Sequence, residues 1–142
     1  MDIKYIFKDI KQKQFAIFPD KFAENVKTDL QINLDISSEV NADADHSVIR
    51  YKILLEIQQK KKTFLLIEIE CYFLLTKDSW EKVDDNKYKL PIDFIRHLAL
   101  LSISTIRGIV YAKTEDSKLK GIILPSIDVS KLVIEDYIVE IN

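Results

Sequence analysis

Apolar and polar residues alternate along most of the first half of the chain, the pattern of β-strands with one buried face. A first strand, or a bulged pair of strands, is predicted over about residues 3–18, and Pro19 ends it because proline cannot donate to a strand ladder. A second strand runs from Leu30 to Ile36, where four aliphatic residues share one face. The polar, acidic stretch from Ser37 to Ser47 predicts a loop.

Two further strands follow, joined by a lysine-rich turn. The third extends from Ile49 to Gln58 and the fourth from Thr63 to Thr76, with the turn at Gln59–Lys62. The fourth strand carries apolar residues on both faces, since Tyr72 and Leu74 alternate with an equally apolar inner set. We therefore expect part of its outer face to be covered as well.

The apolar spacing changes from two to three or four residues after Pro91, which predicts a helix of about 20 residues. The helix is expected to end at Arg107-Gly108, and a polar loop to follow from Tyr111 to Gly121. A short C-terminal helix is predicted from Asp128, a favourable N-cap, to Ile138. These elements predict an α+β fold: a four-stranded antiparallel meander, one long helix packed on it and a short C-terminal helix.

Composition bounds the domain organisation. The chain has 142 residues, of which 47% are hydrophobic and 31% charged, and no repeat or flexible linker divides it, so one domain over residues 1–142 is predicted. The N-terminus lacks the apolar core of a signal peptide, and no uninterrupted apolar run approaches the roughly 20 residues of a membrane span. The lone Cys71 is typical of a reducing compartment. We expect a cytoplasmic protein without membrane insertion.

The same composition excludes several chemistries. Two glycines cannot form a phosphate-binding loop, and two histidines with one cysteine argue against a zinc site. A net charge of -2 argues against nucleic acid as a partner. The paired carboxylates Glu68 and Glu70 have no nucleophile or base beside them in the pattern. We therefore expect no catalytic residue, no metal, no cofactor and no enzymatic activity.

Several short segments, taken in order, resemble the SecB-type export chaperones. Phe7–Ile10 with Phe15 resembles the first strand of that family, Thr28–Asp35 resembles the second, and Tyr51–Phe73 resembles the third and fourth. The likeness covers nearly the whole chain, and the order of the segments carries more of it than any single motif.

The second half of the chain continues this resemblance. Phe94 and, thirteen residues later, Arg107-Gly108 match the spacing of the family's long helix, and Ile123–Val129 resembles the segment before its last helix. The chain departs from the main family at Ile95–His97 and around Glu70–Tyr72. These departures resemble the divergent SecB-like branch, some of whose members accompany toxin–antitoxin systems.

The resemblance implies a function and an assembly. It implies an ATP-independent chaperone that holds unfolded or precursor polypeptides in a hydrophobic groove, for export or for delivery to a partner. It also implies a homotetramer, a dimer of dimers whose long helices are sandwiched between sheets. The alternative is a dedicated chaperone or regulatory interaction protein of the same fold, with a single client such as an antitoxin.

The resemblance also implies a client-binding groove built from the crossover after the first strand, the fourth strand and the last helix. The matching apolar residues are Phe18, Phe22, Val26, Tyr72, Leu74, Leu132, Val133 and Tyr137. For each of them, ordinary packing in the core or in an oligomer interface is the alternative interpretation.

A second surface is implied on the sheet. In the family an acidic patch docks a short basic tail of the translocation motor, and Asp9, Glu68 and Glu70 match that partner-docking face. The alternative interpretation is a solvated sheet face with no partner. On this resemblance, part of the acidic charge is expected to be concentrated on one sheet face.

Overall fold

The computed structural model describes residues 4–18, 30–42, 46–117, 124, 127–133 and 135–140. The long strands are β1 (Tyr5–Ile17), β2 (Leu30–Ala42), β3 (His46–Gln59) and β4 (Lys62–Thr76). They form one antiparallel sheet, and the helix α1 (Ile92–Thr114) packs on one face of it. A second, smaller antiparallel sheet consists of β5 (Glu81–Asp84), β6 (Lys87–Leu90) and β7 (Tyr137–Glu140). The α+β class, the four-stranded antiparallel sheet and the long helix are thereby confirmed.

The order of strands in the large sheet is β1-β4-β3-β2. Only β2, β3 and β4 form the predicted meander, because β1 pairs with β4, placing Phe7 opposite Phe73. The predicted bulge in β1 is present, with register shifts between Phe7 and Asp9 and between Gln12 and Gln14. Alternation assigns residues to a face of the sheet but does not choose the neighbouring strand, so the position of β1 could not be predicted from it.

The loop predicted from Ser37 to Ser47 is wrong over most of its length. Strand β2 continues to Ala42, which pairs with Ser47 at the start of β3. Ser37, Glu39 and Asn41 lie on the outer face of the sheet, and Glu39 forms an ion pair with Arg50 on β3. Polar residues on the exposed face of an edge strand resemble a loop in sequence, although backbone pairing holds them extended.

The core lies between the inner face of the large sheet and one side of α1. Buried side chains of β3 and β4, among them Tyr51 and Phe73, meet the buried stripe of the helix. That stripe consists of Ile95, Leu98, Ala99, Ser102, Ile103, Ile106, Val110 and Thr114. Cys71 is fully buried in the same core, where burial raises the pKa of its thiol to about 11, so it is an unreactive packing residue.

The helix does not end at Arg107-Gly108, as predicted, but continues six residues further to Thr114. Glycine costs about 1 kcal/mol in a helix interior. Burial of Val110 and Thr114 beyond it offsets that cost, because both side chains pack into the core. The predicted loop from Tyr111 to Gly121 is therefore wrong over Tyr111–Thr114, and residues 118–121 lie outside the described part of the chain.

In length and composition α1 would suffice to cross a membrane, with a mean hydropathy of 1.2 over its most apolar window. This is compatible with the expectation that no uninterrupted apolar run has that length, because Arg96 and Arg107 interrupt the apolar residues of the helix. A buried core helix passes the same test, and α1 has one side packed on the sheet.

The short helix predicted from Asp128 to Ile138 is also wrong. Asp128 does act as an N-cap, accepting a hydrogen bond from the Ser130 backbone N–H at 3.0 Å, but the turn it caps is a single 3-10 turn over Val129–Lys131. The chain then extends into β7, which pairs with β6. Pairing in the second sheet supplies the backbone hydrogen bonds that a helix would have formed within itself.

Candidate functional site

A groove of about 630 Å³ opens beside the outer edge of β2. Its lining residues come from β2, β3, α1 and the C-terminal segment: Ile36, Ser37, Ser38, Tyr51, Ile95, Leu132, Val133, Glu135, Asp136, Tyr137 and Ile138. Strand β2 is at the edge of the large sheet, and β7 is at the edge of the small one. Within the described residues, neither strand has a partner on its outer side, so both edges present backbone polar groups.

The floor of the groove is uncharged. The Tyr51 hydroxyl donates a hydrogen bond to the Ile95 carbonyl at 3.1 Å, which ties β3 to the first turns of α1. Burial, with a smaller contribution from Tyr137, raises the pKa of Tyr51 well above its ordinary value. Its phenol therefore stays neutral. Because Tyr51 and Ile95 are only 2% and 3% exposed, the apolar surface that the groove offers comes from its more exposed lining residues, namely Ile36, Leu132, Val133, Tyr137 and Ile138.

The C-terminal segment forms one wall of the groove. Leu132 and Val133 follow the 3-10 turn and are half-buried against the core, and Tyr137 begins β7. Glu135 and Asp136 add carboxylates to this wall. The opposite wall is the β2 edge from Ile36 to Ser38, so the groove is apolar at its floor and polar at its rims.

The structure brings together three of the eight predicted groove residues, namely Leu132, Val133 and Tyr137. Tyr72 and Leu74 lie on the outer face of β4, opposite the helix, because they alternate with the buried Cys71 and Phe73. These two therefore do not belong to this groove.

The other predicted groove residues lie elsewhere or cannot be placed. Phe18 is 42% exposed at the end of β1, and its backbone N–H donates to the Phe64 carbonyl at 2.7 Å. Phe22 and Val26 lie outside the described residues. Binding of a client by any of the eight stays a prediction.

Ile36, Tyr51 and Ile95 also line the groove but did not stand out in the sequence. Each belongs to an apolar stripe that resembles ordinary core. Tyr51 and Ile95 are almost fully buried like their neighbours, and only their position beside the groove distinguishes these residues from the rest of the same stripe. That is a tertiary property, although the edge position of β2 would have revealed it had the strand order been known.

The predicted acidic residues share the outer face of the sheet, but cations interleave with them. Lys52 lies 3.1 Å from Glu68. Glu70 accepts a hydrogen bond from the Tyr72 hydroxyl, and Lys13 and Arg50 lie 4.0 and 3.9 Å from its carboxylate.

The Tyr72 hydrogen bond lowers the pKa of Glu70, and the nearby cations lower it further against the opposing effect of burial. Asp9 pairs across the strands with Tyr72 on the same face. In its described part this face carries mixed charge, so the expected concentration of acidic charge is not found there. Partner docking itself stays a prediction.

The described residues contain no group of three or more His, Cys, Asp or Glu side chains arranged to hold a metal ion. A smaller depression of about 350 Å³ lies on the outer face of the sheet. Its lining combines Lys8, Lys11 and Arg50 with Asp9 and Glu39, so it has no dominant charge.

The antiparallel sheet of four strands, with a long helix on one face and a groove at the β2 edge, defines a SecB-like α+β fold. A scan against protein-family models finds no match to this chain, and a search of curated protein sequences finds none either.

Solved structures support the fold. The chain is similar to the Mycobacterium tuberculosis Rv1957 SecB-like chaperone, solved in complex with a ChAD peptide from the Rv1956 HigA1 antitoxin. The TM-score is 0.56 at 16% identity, over 87% of this chain and 90% of that one. It is also similar to a protein of unknown function from Streptococcus agalactiae, with a TM-score of 0.53 at 13% identity, over 89% of this chain and all of that one.

Proposed function

We propose that this protein is an ATP-independent chaperone that holds unfolded or precursor polypeptides in the groove beside β2. The observation that carries the proposal is the groove itself, which has partly exposed apolar residues along its length, among them Ile36, Leu132 and Tyr137, and an open strand edge along one wall. These two features suit an extended polypeptide better than a compact ligand.

Both features have a physical role in holding a client. Apolar side chains of an extended segment would be buried on the floor, where each Å² removed from water contributes roughly 25 cal/mol. The backbone of the segment would find donors and acceptors along the edge of β2 from Ile36 to Ser38. Such contacts depend little on the amino-acid sequence of the client, which suits a protein that binds varied clients.

The Rv1957 neighbour supports peptide binding on this fold, because its structure contains a bound antitoxin peptide. It also favours the alternative proposal, a dedicated chaperone or regulatory protein with one client such as an antitoxin. A translocation motor is the further partner that the export function would require. We place this activity in the cytoplasm.

We further propose that the protein works without nucleotide, metal or catalysis. Its two glycines do not provide a phosphate-binding loop. The floor of the groove offers neither a nucleophile nor a base, because Tyr51 stays protonated and donates its hydrogen bond to a backbone carbonyl.

Aggregation assays test the proposal and separate it from the alternative. Several unrelated proteins are diluted from denaturant with and without the full chain, and light scattering is followed. A general chaperone is expected to suppress aggregation of all of them. Protection of none of them, combined with binding of a single antitoxin-type peptide, would support the dedicated form instead. If the chain neither suppresses aggregation nor binds an antitoxin-type peptide, both the general and the dedicated chaperone proposals are contradicted.

A matched pair of variants locates the activity. Ile138→Asp places a charge on an exposed apolar residue of the groove lining and is expected to abolish protection, because burying an unpaired carboxylate against a client is strongly unfavourable. Val83→Asp replaces a similarly exposed apolar residue in the same small sheet, outside the groove lining, and provides the control. Urea unfolding of each variant shows that it is folded.

A further inference from the structure

The groove wall is tied to the first turns of α1 by two polar side chains. The Arg96 Nε–H donates to the Val133 carbonyl at 2.9 Å, and its Nη2 donates to the Ser130 carbonyl at 3.4 Å. In the other direction, Asp136 Oδ1 accepts from the Ile92 backbone N–H at 2.7 Å. We call the segment 127–133 and 135–140, held in this way, the strap.

The contact from Asp136 supplies a cap that the helix does not provide for itself. The N-cap residue is Pro91, whose side chain forms no capping hydrogen bond. A helix leaves its first backbone N–H groups without internal partners, and a carboxylate there is favoured by the helix dipole. Lys89 lies 4.0 Å from the same carboxylate. The start of α1 and the strap therefore depend on each other.

The contact from Arg96 fixes the strap close to the groove floor. Val133, whose carbonyl it holds, lines the groove, and Ile95, its neighbour in the helix, belongs to the floor. Arg96 itself is not among the lining residues. The distance between wall and floor thus depends on a guanidinium group that a bound peptide would not touch.

Between Ser130 and Val133, the strap has few other interactions with the rest of the described fold. β7 pairs with β6 only from Tyr137 onward, which anchors the C-terminal end of the strap. Before that, Leu132 and Val133 are only half-buried. A planar guanidinium can donate to two carbonyls at once, which the compact ammonium of lysine does with poorer geometry. Ser130 and Val133 also hydrogen-bond within the strap, to Asp128 and Val129, but among the described contacts Arg96 provides the principal polar link between Ser130–Val133 and the rest of the fold.

We propose that Arg96 is a positioning residue that sets the width of the groove and thereby determines which side chains of a bound polypeptide fit. The inference rests on the proposed function, because it concerns the same groove. When Arg96 holds the strap at a fixed distance from the floor of the groove, small client side chains contact both the wall and the floor, as large ones do. A wall released from Arg96 loses contact with small side chains first, whereas a bulky side chain still spans the wider gap.

The experiment compares selectivity rather than affinity alone. The probes are two fluorescein-labelled peptides of about 15 alternating Ser and Leu residues, with either Trp or Ala at the centre. Fluorescence anisotropy gives the Kd of each for the full-length wild type, Arg96→Lys, Arg96→Gln and Arg50→Gln. The last variant removes an arginine of the outer sheet face and does not touch the groove.

The preference for the Trp peptide is the ratio of the Kd of the Ala peptide to the Kd of the Trp peptide. This ratio is expected to rise about threefold or more in Arg96→Gln. It should rise less in Arg96→Lys and stay at the wild-type value in Arg50→Gln. Hydrogen exchange of the strap should quicken in Arg96→Gln and stay unchanged in the control. A purely structural role would lower both affinities together without changing their ratio.

The outcomes separate the two proposals. If the wild type binds both peptides and the ratio in Arg96→Gln equals that of the wild type, the inference about Arg96 is overturned while the proposed function stands. If the wild type binds neither peptide, the proposed function fails, and the inference fails with it. Should Arg96→Gln prove unfolded in urea titrations, the ratio in Arg96→Lys decides instead, because lysine keeps a donor but loses the forked geometry.

Discussion

Two single residues, Gly108 and Glu70, occupy positions that are unusual for their residue type, and each has an effect on stability that can be measured. Gly108 lies within α1 rather than at its end, and a Cβ built at this position meets no atom within 4 Å. Glu70 is nearly buried on the outer face of the sheet among two cations and a tyrosine hydroxyl. Gly108 lowers the stability of α1, whereas the partners of Glu70 stabilise its ionised carboxylate.

Gly108→Ala is expected to raise the free energy of unfolding by about 1 kcal/mol, because alanine loses less backbone entropy in a helix. Urea unfolding measures the change. Ala112→Gly, at an exposed position of the same helix, is the reciprocal control and should lower stability by a similar or smaller amount. A loss of stability in Gly108→Ala would mean that this side of the helix packs closely against another chain.

Tyr72→Phe is expected to raise the pKa of Glu70 toward its ordinary value, because it removes the hydrogen bond that lowers it most. A lowered carboxyl pKa stabilises the fold at neutral pH, and this contribution is lost as pH falls through the folded-state value. The variant should thus be less stable than the wild type by about 1 kcal/mol near neutral pH, with the difference shrinking in acid.

NMR titration of the Glu70 carboxyl, with unfolding measured at neutral and acid pH, checks this expectation. Tyr111→Phe removes an exposed hydroxyl from α1 and should change neither quantity. A difference in stability that stays constant with pH would show that Tyr72 acts through packing instead.

At the scale of whole elements, strand pairing can hold residues in backbone conformations that their side chains disfavour. The β3–β4 turn places both Lys60 and Lys61 at positive φ, 51° and 64°, the conformation of a type I′ hairpin turn. Asparagine and glycine favour this conformation, whereas a lysine side chain crowds the following carbonyl. The long paired strands on either side hold the turn in place despite that cost.

The double variant Lys60→Asn/Lys61→Gly is expected to raise the free energy of unfolding by about 1–2 kcal/mol, because it relieves the left-handed strain. Thermal and urea unfolding give the value. Lys62→Gly, one residue further and inside β4, is the control and should be destabilising by about 0.5–1 kcal/mol. An unchanged stability in the double variant would indicate that the lysine side chains compensate for the strain.

At the scale of the whole molecule, apolar surface remains on two sides of the fold. Ile6 and Ile10 are exposed on β1, and Leu100 and Tyr111 are exposed on the free side of α1. Single exposed apolar residues are normal on a monomer, so these residues do not by themselves indicate an assembly. We propose the homotetramer that the sequence resemblance implies, in which helices of different chains face one another and bury Leu100 and Tyr111.

Sedimentation of the wild type is expected to give about four times the chain mass of 16.6 kDa. Leu100→Asp should dissociate the assembly, because it would bury an unpaired charge between helices. Val83→Asp, which replaces an equally exposed apolar residue on β5, should leave the assembly intact. A wild type that sediments as a monomer at micromolar concentration would contradict the tetramer.

The sequence by itself determined which residues face inward. Alternation in β3 and β4 identified most of the buried face of those strands, and the three-to-four spacing after Pro91 identified the helix, because those periods follow directly from strand and helix geometry. It also located Asp128 as a cap and Gln59–Lys62 as a turn, since both depend on neighbouring residues only. Within the candidate site, Leu132, Val133 and Tyr137 were indicated by the resemblance to the SecB-type chaperones rather than by any local period.

Only the tertiary structure decided where the elements end and which edges stay open. Gly108 continues a helix because distant core contacts outweigh its propensity, and Tyr137–Glu140 is a strand because β6 is available to pair with it. The groove exists because β1 pairs with β4 and leaves β2 at an edge, bordered by a strap that Arg96 holds. These outcomes depend on contacts between residues far apart in the chain, which no local period encodes.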